Sequence, residues 1–177
     1  IELYKDGMIY KGERMVNWDP VGLTALSDEE VIHKETQGKL WHFKYPIKNS
    51  EKFLTVATTR PETMLGDTGV AVNPKDKRYK NLIGEKIILP IIGREIPIFS
   101  DEYVDMEFGT GCVKVTPAHD PNDFEMGQRN KLNIINIMNP NGSLNDNVPE
   151  NYKNLDRYEA RKLVISELKS LNLLVKI

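Results

Sequence analysis

Gly109-Thr110-Gly111-Cys112-Val113-Lys114-Val115-Thr116-Pro117-Ala118-His119-Asp120-Pro121-Asn122-Asp123-Phe124-Glu125 carries a turn, a strand and a helix start in succession. Gly109-Thr110-Gly111 predicts a tight turn or bulge. It lacks the spacing of a phosphate-binding loop, whose glycines must lead directly into a helix. Cys112 to Thr116 alternates in the period of a strand. Lys114 and Thr116 then share one face, and Val113 and Val115 take the opposite, core-facing one. Asp120-Pro121-Asn122-Asp123 predicts a helix start, with an N-cap acid, proline in the first turn and a second acid three residues on. That helix should run to about Asn130.

A second polar cluster lies upstream. Phe53 to Thr59 is rich in β-branched residues and predicts a strand. Pro61 suits a first helical position and Gly66 the end of a single helical turn. Thr58, Thr59, Arg60, Glu62, Thr63 and Asp67 therefore crowd a strand end and the turn behind it. Each has an ordinary structural role when read singly: threonines in a strand, solvated charges at Arg60 and Lys114, helix caps at Asp120 and Asp123, a hydrogen-bonded structural histidine at His119. Cys112, inside an apolar strand, reads as a small buried hydrophobe. No Gly-x-Ser-x-Gly turn is present, so covalent catalysis has little support.

Outward from these segments, Tyr10 to Pro20 closes in the turn-like Asn17-Trp18-Asp19-Pro20. Residues 31–47 predict a β-hairpin about Gln37-Gly38. Thr68 to Val72 predicts a buried strand, Asp76 to Ile83 a short helix closed by Gly84, and Lys86 to Phe99 two or three short strands broken at Pro90 and Gly93-Arg94. A last helix from about Asp156 to Leu171 opens on an Asp156/Glu159 capping-box pattern, with Leu163, Val164, Leu168 and Leu171 as its apolar stripe. Many short strands with few helices predict a mainly β fold: a closed β-barrel with peripheral α-helices.

The 177 residues fit one domain, residues 1–177, with 1–30 and 150–177 expected as flanking segments packed on the barrel core. A net charge of -2 with both signs interspersed excludes a strongly basic nucleic-acid coat while leaving room for a local basic groove. The single cysteine excludes an internal disulfide framework and points to a reducing compartment. His33, His42 and His119 have no metal-ligand spacing, so no metal site is expected. No apolar run reaches membrane-spanning length. The absence of an initiator methionine at Ile1 suggests a piece of a larger protein.

Taken together, Ala57-Thr58-Thr59-Arg60-Pro61-Glu62-Thr63-Met64-Leu65-Gly66-Asp67-Thr68 resembles the threonine-rich motif of class I aminoacyl-tRNA synthetase editing (connective polypeptide) domains. The Gly109–Glu125 segment resembles their second motif. Glu62 after the arginine-proline pair, where leucyl relatives favour aspartate, and an arginine that isoleucyl relatives lack point to the valyl branch. Val16-Asn17-Trp18-Asp19-Pro20, Ala25-Leu26-Ser27-Asp28 and Leu155-Asp156-Arg157-Tyr158-Glu159-Ala160-Arg161 also look valyl, so the resemblance spans essentially the whole chain.

The resemblance implies a β-barrel editing domain that hydrolyses mischarged threonyl-tRNA(Val). Asp123, supported by Asp120, would hold the aminoacyl ammonium. Thr59, Arg60 and Thr63 would line the ester and terminal ribose, Asp67 would brace their turn, and Thr58 and His119 would join the binding residues. Lys114 would favour phosphate or developing negative charge, and Thr116 would position water or substrate. No cofactor is expected for editing, ATP and Mg belonging to an absent synthetic domain. The implied partners are the tRNA(Val) 3′ end and the rest of the synthetase, in the cytoplasm, with no membrane. Leucyl or isoleucyl editing, and a non-catalytic tRNA 3′-end binding module, remain as alternatives.

Overall fold

From Trp41 to Pro46, Trp41, Phe43 and Tyr45 turn inward while His42, Lys44 and Pro46 stay half-exposed, the period-two signature of a strand with one buried face. The computed structural model describes residues 1–177. This strand and six others surround the main core; the N-terminal pair lies apart. In chain order the strands are β1 (Asn17–Asp19), β2 (Thr24–Leu26), β3 (Trp41–Pro46), β4 (Phe53–Thr58), β5 (Gly69–Val72), β6 (Lys86–Ile88), β7 (Glu95–Ser100), β8 (Cys112–Val115) and β9 (Leu174–Lys176). The helices are the single turn α1 (Glu2–Lys5), α2 (Pro121–Arg129) and α3 (Arg157–Ser170).

β3 is the middle strand of an antiparallel sheet, order β4-β3-β9. A hairpin is present, but it joins β3 to β4, and residues 31–40 form no strand. Asn49, at φ 57°, turns the chain; its short polar side chain tolerates that left-handed conformation. A second sheet runs β6-β7-β5-β8, with β5 and β7 parallel and the other pairs antiparallel. All four residues of its inner strand β5 are buried, as expected where both faces are covered. β1 and β2 make a small separate hairpin.

The expected closed barrel does not form. The hydrogen-bonded strands fall into three open sheets, and the molecule is an α+β domain. β4 and β8 lie side by side without a backbone ladder, and Cys112 Sγ donates to the Thr55 carbonyl at 2.9 Å between them. On the other side a single bridge, Ile47 to Ile87, joins the sheets. The short-strand pattern is common to barrels and to stacked open sheets, so it did not separate them.

Phe43, Tyr45, Leu54, Val56, Val70, Val72, Ile96 and Ile98 fill the core between the sheets. Each large side chain buried there contributes about 1.5–3 kcal/mol. α3 closes one end through Ala160, Val164 and Leu168, one residue per turn along one stripe. Leu171, expected on that stripe, is 52% exposed and serves as the C-cap. α2 packs Met126 against Val115, Ala71 and Val104. Between Asp76 and Ile83 only the turn Lys80–Leu82 is helical. The Asp76 carboxylate binds the Arg78 backbone N–H and guanidinium instead, so an Asx-type turn displaces the helix. Residues 1–32 add nothing to the buried core, whereas Tyr152 and α3 do. No helix is long and apolar enough to cross a membrane.

Candidate functional site

β4 and β8 end at the same place, and their trailing residues build a cleft of about 350 Å³. After β4 the chain enters a 3-10 turn, Pro61–Gly66, whose six residues are all buried. Thr58 Oγ1 accepts from the Arg60 N–H at 3.1 Å, and Thr63 Oγ1 donates to the Arg60 carbonyl at 3.0 Å. After β8 the chain enters α2. Asp120 is its N-cap: Oδ1 accepts from the N–H groups of Asn122 and Asp123 at 3.0 and 3.3 Å. The Arg60 guanidinium joins the two segments by donating to the His119 carbonyl at 2.8 Å and Asp120 Oδ2 at 3.1 Å.

Beneath the cleft lies an ionic network. Asp67 is fully buried. Its Oδ1 accepts from Lys114 Nζ at 2.8 Å and Thr116 Oγ1 at 2.5 Å, and its Oδ2 from the Tyr45 hydroxyl at 2.5 Å. Lys114 Nζ also donates to Thr116 Oγ1 at 2.5 Å. Burial pushes the Asp67 carboxyl up, against the opposing pull of Lys114, Thr116 and Tyr45. Burial and the adjacent Asp67 push the Tyr45 phenol well up, so it stays a donor. Arg94 donates to the carbonyls of Leu65 and Asp67 at 3.3 and 3.0 Å, closing the far end of the turn. The lysine is only 6% exposed, so it is no solvated surface charge. Lys114 and Thr116 share the site-facing side, as the alternation predicted, and Val115 packs under α2, but Val113, expected to face the core, is half-buried and lines the cleft as well.

Asp123 is 8% exposed, and Oδ2 accepts from the Thr116 N–H at 2.8 Å. Oδ1 has no hydrogen bond from the protein and belongs to a cleft-lining side chain. Burial pushes its carboxyl up to about 6; the Thr116 N–H and Lys114 oppose this, and Asp120 and Asp67 add to it. A carboxylate with one free oxygen suits an incoming cation.

The structure brings Thr58, Thr59, Arg60, Thr63, Lys114, Thr116, Asp120 and Asp123 to this one cleft. Asp67 lies below it. His119 lines a neighbouring depression instead. Its Nε2 accepts from the Ile137 N–H at 3.1 Å, and burial, with Lys114 and Arg60 nearby, drives its imidazole down to about 4. It is a neutral acceptor in a structural hydrogen bond. No group of three His, Cys, Asp or Glu side chains is placed to hold a metal.

Some side chains that build the site, and one pairing, were not visible in the sequence. Tyr45 looked like any inward strand residue, and Arg94 sat in a presumed turn. Glu62 is 1% exposed and is gripped by Arg161 of α3 through two 2.7 Å bonds. Both residues stood in the quoted segments, yet nothing local pairs positions 99 residues apart. Tyr103 and Phe108 from the β7–β8 loop complete the cleft's rim.

Residues 76–167 match the family model described as "Leucyl-tRNA synthetase, editing domain". The whole chain is 57% identical to the valine–tRNA ligase of Staphylococcus haemolyticus and 58% identical to that of Clostridium tetani. It spans about 20% of the length of each. Among solved structures, a leucyl-tRNA synthetase from Agrobacterium radiobacter K84, determined with tRNA and LeuAMS, aligns over 96% of this chain and 30% of its own. That alignment has a TM-score of 0.60 at 20% identity. The structure titled GlLeuRS-CP1 aligns over 78% of this chain and 98% of its own, with a TM-score of 0.59 at 13% identity. Both likenesses establish the fold.

Proposed function

Because the chain belongs to the editing-domain family of the valyl, isoleucyl and leucyl tRNA synthetases and matches valine–tRNA ligases along its whole length, we propose that it hydrolyses threonyl-tRNA(Val). The observation that carries this reading is the position of Asp123. Its free oxygen lies in a cleft also lined by Thr58, Thr59, Thr63, Lys114 and Thr116.

A hydrophobic synthetic pocket cannot strongly reject an isostere that only adds a hydroxyl, and valine selection against threonine is itself the general instance of that rule. A polar second site reverses the preference, since groups that pair with the threonine hydroxyl are left unpaired by valine. Asp123 holds the aminoacyl ammonium. Asp120, committed to the helix cap and Arg60, positions Asp123 and the arginine. Thr58, Thr59, Arg60 and Thr63 line the ester and terminal ribose. Lys114 spends two N–H groups on Asp67 and Thr116, and its third faces developing negative charge on the ester oxygen. Thr116, its proton held by Asp67, offers a lone pair to water or substrate. Water attacks the ester carbonyl, releasing free threonine and the tRNA hydroxyl. With no protein nucleophile at hand, a ribose hydroxyl assists the positioned water. The reaction needs no cofactor, ATP and Mg serving only the synthetic domain of the larger ligase. The tRNA(Val) 3′ end and the remainder of a cytoplasmic synthetase are the partners.

The test is deacylation of threonyl-tRNA(Val) by the wild type, Asp123→Ala and Lys114→Ala. Loss in both variants supports the roles; unchanged activity in both sinks them. A panel of threonine, norvaline and valine esters on their respective tRNAs separates valyl from leucyl or isoleucyl editing. Binding without turnover of any of them would leave a 3′-end binding module.

A further inference from the structure

Beside the cleft lies a larger depression of about 610 Å³, to which the chemistry above assigns nothing. Arg60 lines both cavities, so they adjoin. Trp18, Tyr158, Arg157 and Arg161 also line the depression. Trp18 is 44% exposed, and its Nε1 donates to the Pro140 carbonyl at 2.7 Å. The indole is thereby pinned at its edge while much of its surface stays open.

The cations there are not equivalent. Arg161 is committed to Glu62, and Arg60 to Asp120 and the His119 carbonyl. Arg157 lies 4.7 Å over the Tyr158 ring and has no carboxylate within ion-pair distance. It is a held guanidinium with its charge unspent. The opposite rim of the cleft differs: behind Tyr103 and Phe108, Asp101 is paired with Arg129 and Glu102 with Lys75, while Asp105 and Glu107 have no cation within ion-pair distance. A polyanion bound for Asp123 is repelled on that side and attracted on this one.

Resting on the reading that a tRNA 3′ end enters the cleft, we propose that this depression seats the single-stranded nucleotides preceding the terminal one. A base stacks against Trp18 and a phosphate pairs with Arg157. An aromatic face beside an unpaired arginine is the usual equipment for gripping single strands without reading their sequence. The volume exceeds that of the cleft, as expected if it takes a nucleotide or more while the cleft takes an aminoacylated ribose.

The probe is a short RNA ending in cytidine-cytidine-adenosine, titrated against the 177-residue chain by fluorescence anisotropy. Trp18→Ala should weaken binding on the order of tenfold, the usual worth of one lost stack. Trp18→Phe, which keeps a ring and loses the Pro140 bond, should restore most of it. Arg157→Ala should lower the slope of log affinity against log salt by about 0.7, and Arg157→Lys should leave that slope intact. In the Trp41→Phe background Trp18 is the sole indole, and RNA should quench its emission. Equal RNA affinity and salt slope across all variants would overturn the proposal. Failure of the wild type to deacylate threonyl-tRNA while the RNA still binds through Trp18 and Arg157 would overturn the catalytic reading only.

Discussion

At the scale of single residues, the site depends on which charges are spent and which are free. Asp123 has one free oxygen and a carboxyl pushed up to about 6, so it must ionise before it can receive an ammonium. Threonyl-tRNA deacylation, measured as kcat/KM, should therefore fall as pH drops through about 6. Asp123→Asn should lose that inflection and roughly 10- to 100-fold in rate, the worth of a charge-assisted hydrogen bond. An inflection that survives in the variant would assign it to another group. Lys114 is held by a different logic. Removing it leaves Asp67 buried and uncompensated, so Lys114→Met should cost about 3–5 kcal/mol in urea unfolding. The double variant Lys114→Met/Asp67→Leu should cost less than Lys114→Met alone, because the orphaned charge goes too. The sequence displayed both residues, and the alternation placed Lys114 with Thr116. It did not display the pairing with Asp67, which depends on β5 lying beside β8.

At the scale of elements, two devices hold the motif segments in place. Gly111 takes φ 75° at the start of β8, where an added Cβ would meet the Arg78 guanidinium and the Met106 carbonyl. Gly111→Ala should destabilise by about 1–2 kcal/mol from the backbone alone, and should also displace Arg78 from Met106. Denaturant unfolding measures the first effect, and a crystal structure of the variant the second. The Glu62–Arg161 pair ties the 3-10 turn to α3. Arg161→Ala leaves a carboxylate 1% exposed without a partner and should cost about 3 kcal/mol or more. It should also raise KM for threonyl-tRNA by loosening the threonine turn. Stability unchanged on removing Arg161 would show the bond to be ornamental. The turn at Gly109–Gly111 and the N-cap at Asp120 were readable because glycine and capping preferences are local. The expected hairpin at Gln37-Gly38 misplaced its turn because alternation continues on either side of it; Asn49 decides the turn, and the packing of Trp41, Phe43 and Tyr45 decides which residues join the sheet.

At the scale of the whole molecule, two buried groups at the site bend stability in opposite directions with pH. His119 has its folded pKa lowered to about 4, so its contribution is present above its unfolded value and is lost as pH falls towards 4. Asp123 has its folded pKa raised to about 6, so its contribution is present at low pH and is lost as pH rises through that value. Between pH 4 and 6 the two oppose each other. Asp123→Asn should therefore be more stable than wild type at pH 7 and steeper in its acid loss, as urea midpoints at pH 4.5 and 7 would register. Equal midpoints at pH 7 would show that ionising Asp123 costs the fold nothing. By itself the sequence determined part of the local structure and the family: the strands β4 and β8, the Gly109–Gly111 turn, the Asp120 cap and two long motifs are set by neighbouring residues, and motif order survives without coordinates. The tertiary structure alone decided that the sheets stay open, that Asp67 lies under Lys114, that His119 faces away from the cleft, and that Arg161 grips Glu62. These depend on contacts between residues far apart in the chain, and local propensity carries no information about which distant partner a side chain will meet.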